Sequence, residues 1–239
     1  MQLVDVALTG VPVVAAGGAG VSAAVRAPGA RLTSGLQHFA AGVVIAAAAL
    51  ELLPEVVRAS GLVAVVGFAV GIAVMFGMRA VTDRLERRAD ASPGARLPVG
   101  MIGATAVDFL IDGVILGAGF TAGGHTGVLL SIALAIEYLF VGLSLSAAMG
   151  PNASRSLVVG TPVLLSLLTV AGALLGVWLL AGVSPTVLAG VLAFGAVAFM
   201  YLATEELLVE AHERGETAIG SSAFYIGFLA VLVLEQALR

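Results

Sequence analysis

Residues 98–121 read PVGMIGATAVDFLIDGVILGAGFT, a run without a basic residue in which two aspartates interrupt otherwise apolar or small side chains. About 20 such residues are needed for a helix to cross the hydrocarbon core of a bilayer. A soluble helix of this length carries a polar face for water, and this one has none. It therefore reads as a membrane span with Asp108 and Asp112 near its middle. Seven more segments of the same kind surround it, at about 3–25, 34–57, 61–82, 126–149, 156–182, 185–209 and 218–238. Turn chemistry falls between them at Pro28-Gly29, Ser60-Gly61, Ser92-Pro93-Gly94, Gly123-Gly124, Gly150-Pro151-Asn152, Ser184-Pro185 and Gly215. The expectation is an all-α integral membrane protein of about eight transmembrane helices, a single polytopic domain over 1–239.

Composition agrees. Of the 239 residues, 60% are hydrophobic and 11% charged, with a mean hydropathy of +1.11. Soluble domains carry about a quarter charged residues, so a water-facing globular surface is excluded. The 31 glycines suit close helix packing in a membrane. With no cysteine, disulfides and thiolate metal sites are ruled out. The first apolar run follows Asp5 with no preceding base, so it reads as a retained helix and not as a signal peptide.

All 11 basic residues are arginines. With the N-terminus outside, the cytoplasmic connections hold Arg26, Arg31, Arg79, Arg84, Arg87, Arg88, Arg96, Arg155 and Arg214, and the outside holds only Arg58 and Arg239. The excess of positive charge on one side predicts a multi-pass protein of the cell membrane with both termini outside. Its one sizeable connection, 83–97, is expected to be a charged cytoplasmic loop.

The chain also echoes itself. Glu51-Leu52-Leu53-Pro54-Glu55 closes the second predicted helix, and Glu206-Leu207-Leu208-Val209-Glu210 closes the seventh, which runs in the opposite direction. Inverted repeats of this sort mark alternating-access transporters. The arrangement expected is helices 1–3 and 6–8 repeated around a central hairpin of helices 4 and 5.

Most of the 15 acids lie at helix ends. Asp108, Asp112 and Glu137 lie mid-span, where an exposed carboxylate costs roughly 2.5–3.5 kcal/mol each. Asp108 and Asp112, four residues apart, share one helix face. The tight turn at 123–125 makes the fourth and fifth helices antiparallel neighbours and brings Glu137 to similar depth. No arginine is predicted at that depth, so a divalent cation or protons must balance the charge. Glu205, Glu206 and Glu210 near His212, together with His38, read either as solvated helix ends or as a cytoplasmic exit relay. Glu51 is a candidate for the outer pathway, and His125 an exposed hairpin residue. Gly113 and Gly117 form a small-residue face. No motif of an intramembrane protease is evident, and no prosthetic group or nucleic acid is implied.

At these residues the chain resembles the ZIP family of divalent metal transporters. Gln37-His38-Phe39-Ala40-Ala41-Gly42, running on to Glu51-Leu52-Leu53-Pro54-Glu55, resembles the family's second helix. Ala193 through His212 resembles its seventh, and Asp108-Phe109-Leu110-Ile111-Asp112-Gly113 stands where the family has His-Asn-x-x-(Asp/Glu)-Gly. The resemblance implies elevator-like movement, the cation as transported substrate, and helices four and five as the carriers of the site. It also implies that one of two adjacent metal positions is dismantled. Phe109, Tyr138, Val141 and Thr169 stand at divergent ligand positions, where the family has Asn, a polar ligand, Glu and the Glu of a Glu-Pro pair. A site of three carboxylates without imidazole favours Mn, Fe(II) or Mg relative to Zn. A proton-coupled carrier of another solute and a non-transporting metal sensor are the alternatives, and the glycine-rich faces permit a homodimer.

Overall fold

The computed structural model describes residues 3–25, 29–59, 61–90, 99–149, 153–213 and 218–238. Among these, eight helices are long and apolar enough to cross a membrane: α1 (Val4–Val25), α2 (Arg31–Arg58), α3 (Gly61–Thr82), α4 (Gly100–Ala122), α5 (Gly124–Ala148), α6 (Arg155–Leu180), α7 (Pro185–Glu213) and α8 (Gly220–Leu238). No strand occurs among the described residues. The turns at Pro28, Ser60, Ser92-Pro93-Gly94, Gly150-Pro151-Asn152 and Gly215, with Arg26, Arg96, Arg214 and Arg239, lie outside the described residues.

Helix ends follow local chemistry. Ser154 and Ser184 cap α6 and α7, accepting from the backbone N–H groups of Leu157 and Val187 at 3.3 and 3.4 Å. Pro185 occupies the first turn of α7, where no N–H is needed. Gly123 alone, in extended backbone, separates α4 from α5. One expectation is corrected: the stretch 83–90 is not loop, because the helix that starts at Gly61 continues to Asp90. Arginine, leucine and glutamate are good helix formers, so the run of charge there does not end the helix. The remainder of the expected loop, 91–97, lies outside the described residues.

The interior is built on α2, α5 and α7. Burial reaches 61, 67 and 56% of their most apolar stretches, against 11 and 17% for α3 and α8. The principal partners are α4 with α6, α2 with α8, α1 with α5 and α6, and α3 with α7. Glycines set the closest approaches. A Cβ on Gly42 would run into the carbonyl of Phe224 on α8, and one on Gly67 into that of Gly190 on α7.

Two helices contain π-helical turns, Ala48–Leu52 in α2 and Leu202–Leu207 in α7. These are the two Glu-Leu-Leu segments. In α2 the following Pro54 cannot donate to the carbonyl of Leu50, which accounts for a local break in the ladder. In α7 the corresponding residue is Val209, so proline is not the shared cause. Turns of this kind inside α-helices gather at functional sites.

Candidate metal site

The hairpin of α4 and α5 brings the three mid-span acids together. One carboxylate oxygen each from Asp108, Asp112 and Glu137 lie within 4.8 Å of one another, the one cluster of three or more ligating side chains among the described residues. Asp112 and Glu137 are buried, at 2 and 0% exposure, and Asp108 is half-buried. No N–H or hydroxyl donor reaches either oxygen of Glu137. It faces the two aspartates instead, and no arginine pairs with the trio among the described residues. A buried carboxylate left that way costs several kcal/mol. Opposite oxygens on a hard divalent ion are about 4–5 Å apart, so the cluster can close on such an ion with small side-chain adjustments.

Asp112 is held from behind. Tyr138 Oη donates to its Oδ2 at 3.2 Å, and the same Oη lies 2.5 Å from Thr169 Oγ1. A hydroxyl has one proton, so when Tyr138 donates to Asp112 it accepts from Thr169. This chain runs from α6 through α5 to α4. Phe109 stacks on the Tyr138 ring at a centroid distance of 3.7 Å, and both rings are buried. Phe109, Tyr138 and Thr169 therefore make one packed, hydrogen-bonded unit beside the acids. Val141 lines the cavity described next.

That cavity, about 300 Å³, reaches Asp108 from the end of the molecule where α3 continues into its charged extension. Glu205, Glu206 and Glu210 line its wall with Arg79 and Ser144. Arg79 pairs with Glu205 at 2.5 Å, and Ser144 donates to Glu210 at 2.8 Å. Both members of the Arg79–Glu205 pair are more than a third exposed, so its contribution to stability is small. A second cavity, at the opposite end between the ends of α2, α4 and α6 and the first turns of α7, is lined by none of the three acids.

The remaining candidates separate. The expected relay divides in two: its three glutamates line the cavity, whereas His38 and His212 do not. His38 does not sit at a solvated helix end, being 2% exposed within a helix that begins at Ala30. His212 is exposed and still helical, because α7 runs to Glu213 and not to residue 209. Glu51, the candidate for the outer pathway, is buried, with Oε2 3.6 Å from Nδ1 of His125, an ion-pair distance once the imidazole is protonated. His125 is accordingly not merely exposed.

Among the contacts that sequence reasoning missed are those of Arg79 with Glu205, Glu51 with His125, and Ser144 with Glu210. Only the last left a signal. Ser144 follows Glu137 by seven residues, two turns along the same face of α5. No protein-family model matches the chain, and no curated protein matches it either.

Proposed function

We propose that this chain carries divalent transition-metal cations of the Zn/Fe/Mn class into the cytoplasm, binding them at Asp108, Asp112 and Glu137 and moving them by alternating access. The observation that carries the reading is a buried acid cluster with a cavity leading to it. The three acids cluster mid-span, and Asp108 lines an acid-walled cavity. By the arginine distribution that cavity faces the cytoplasm, which makes the conformation inward-facing.

The pairing of helices supports an inverted repeat. Exchanging α1 with α6, α2 with α7, α3 with α8 and α4 with α5 turns α1–α5 packing into α6–α4, and α2–α8 into α7–α3. The glycines obey the same exchange: Gly113 of α4 packs on Thr169 and Gly172 of α6, and Gly142 of α5 on Ala16 and Ala19 of α1. The paired π-helical turns fall at matching places. Together with the motif resemblance, this favours a ZIP-like carrier that keeps one of the two metal positions, with the Phe109–Tyr138 stack filling the space of the other.

Flux of Mn, Fe(II), Zn and Cd into proteoliposomes tests the proposal. Saturable uptake ranked with Mn and Fe(II) ahead of Zn is expected from an all-carboxylate site. Uptake should also fall as the external pH is lowered from 7.5 to 5.5 at fixed membrane potential. Carboxylates must shed protons to ligate, so protonation competes with the ion. A flat pH profile would rule out ligation by this cluster.

One observation favours a second reading. The hydroxyl chain from Thr169 through Tyr138 to Asp112 suits a proton relay, and with it a proton-coupled carrier of another solute. In that case neutralising Asp112 uncouples proton movement and leaves metal affinity unchanged.

A further inference from the structure

Two histidines 174 positions apart meet at the arginine-rich end of the bundle. The rings of His38 on α2 and His212 on the last turn of α7 have centroids 5.2 Å apart and are tilted by 53°. Nδ1 of His38 lies 2.9 Å from the carbonyl of Ser34, and Nδ1 of His212 lies 2.5 Å from that of Leu208. A carbonyl only accepts, so each Nδ1 carries the proton and each neutral ring has its lone pair on Nε2. A backbone carbonyl behind Nδ1–H is also the arrangement that fixes the tautomer of metal-ligating histidines.

His38 Nε2 is buried without a hydrogen-bond partner, and the side chain is nine-tenths buried and more. Ser34 organises both rings. Its carbonyl holds His38, and its hydroxyl donates at 2.8 Å to the carbonyl of Ala211, the residue before His212. Two imidazoles bound to one tetrahedral ion at N–metal distances of about 2.0–2.1 Å place their centroids about 5 Å apart. The observed separation is of that size.

We propose that His38 and His212 form a second metal site, ligating through Nε2, for a borderline or soft divalent ion such as Zn, Ni or Cu, with water completing the shell. Imidazole selects these ions over the hard ions suited to carboxylates. The site is separate from the cavity that reaches Asp108, and it does not depend on transport. An ion held there ties the last turn of α7 to α2.

The test uses the full chain in detergent micelles with Cu(II) as the probe, read by nitrogen hyperfine coupling in electron paramagnetic resonance, with Zn as competitor. The chain has three histidines, so His125→Gln is the control for the third. Nitrogen coupling from two imidazoles, displaced by Zn, is expected in the wild type, in His125→Gln and in Asp112→Asn. His212→Gln should lose one nitrogen and bind copper at least tenfold more weakly. Because His212 is exposed, this variant tests the site even where buried His38→Gln does not fold. Coupling that persists unchanged in His212→Gln, or that disappears in His125→Gln, overturns the proposal. Retention in Asp112→Asn separates this site from the mid-span cluster, so either proposal can fail alone.

Discussion

Asp112→Asn is expected to reduce divalent uptake into proteoliposomes to the level of empty vesicles, while leaving the protein folded. The substitution preserves shape and removes charge. Asp112 accepts a hydrogen bond from Tyr138, and an asparagine carbonyl can accept the same bond. What is lost is one of three anionic ligands at a buried site. Removing even an outer-shell partner of a metal lowers affinity 10–100-fold, so loss of a direct ligand should weaken binding by about 100-fold or more. A melting temperature close to that of the wild type, together with abolished uptake, would assign the loss to ligation. Uptake at the wild-type rate would mean that ions pass elsewhere. Intact metal affinity with lost proton coupling would instead favour the relay from Thr169.

The same residues show how far the sequence could be read. Eight apolar runs separated by Gly, Pro and Ser were legible because a bilayer-crossing helix needs length and apolarity, both visible residue by residue. The convergence of Asp108, Asp112 and Glu137 was legible too, since helical period and the tight turn at 123–125 place them at similar depth by arithmetic. What escaped were contacts between helices distant in the chain. Arg79 meets Glu205 across 126 positions, and His38 meets His212 only because α2 packs along α7. Periodicity says which face of a helix is polar, not which neighbour that face meets. The extension of α3 to Asp90 is hidden for another reason: a run of charge resembles a loop, whereas the residues themselves favour helix.

Gly113→Ala is expected to destabilise the protein by about 3 kcal/mol, the upper end for a single overpacking change. A Cβ at Gly113 would collide with the carbonyl of Thr169 on α6 and lie 2.9 Å from the Cα of Gly172. These are backbone atoms, so relief requires the helices themselves to separate. Gly103, on the same helix, has nothing within 4 Å of its Cβ position, and Gly103→Ala should melt at or slightly above the wild type. Thermal melting of both variants in one detergent checks the contrast, and equal melting would contradict the packing of α4 on α6. Gly117→Ala adds a test of function. Its Cβ would meet Ala173, one turn farther from the acids, so it should destabilise comparably. Only Gly113→Ala, however, displaces Thr169, whose hydroxyl bonds Tyr138 and through it orients Asp112. In whatever folded fraction each variant retains, metal affinity should therefore fall for Gly113→Ala and hold for Gly117→Ala. Equal losses in the two would mean that the hydroxyl chain does not position the site.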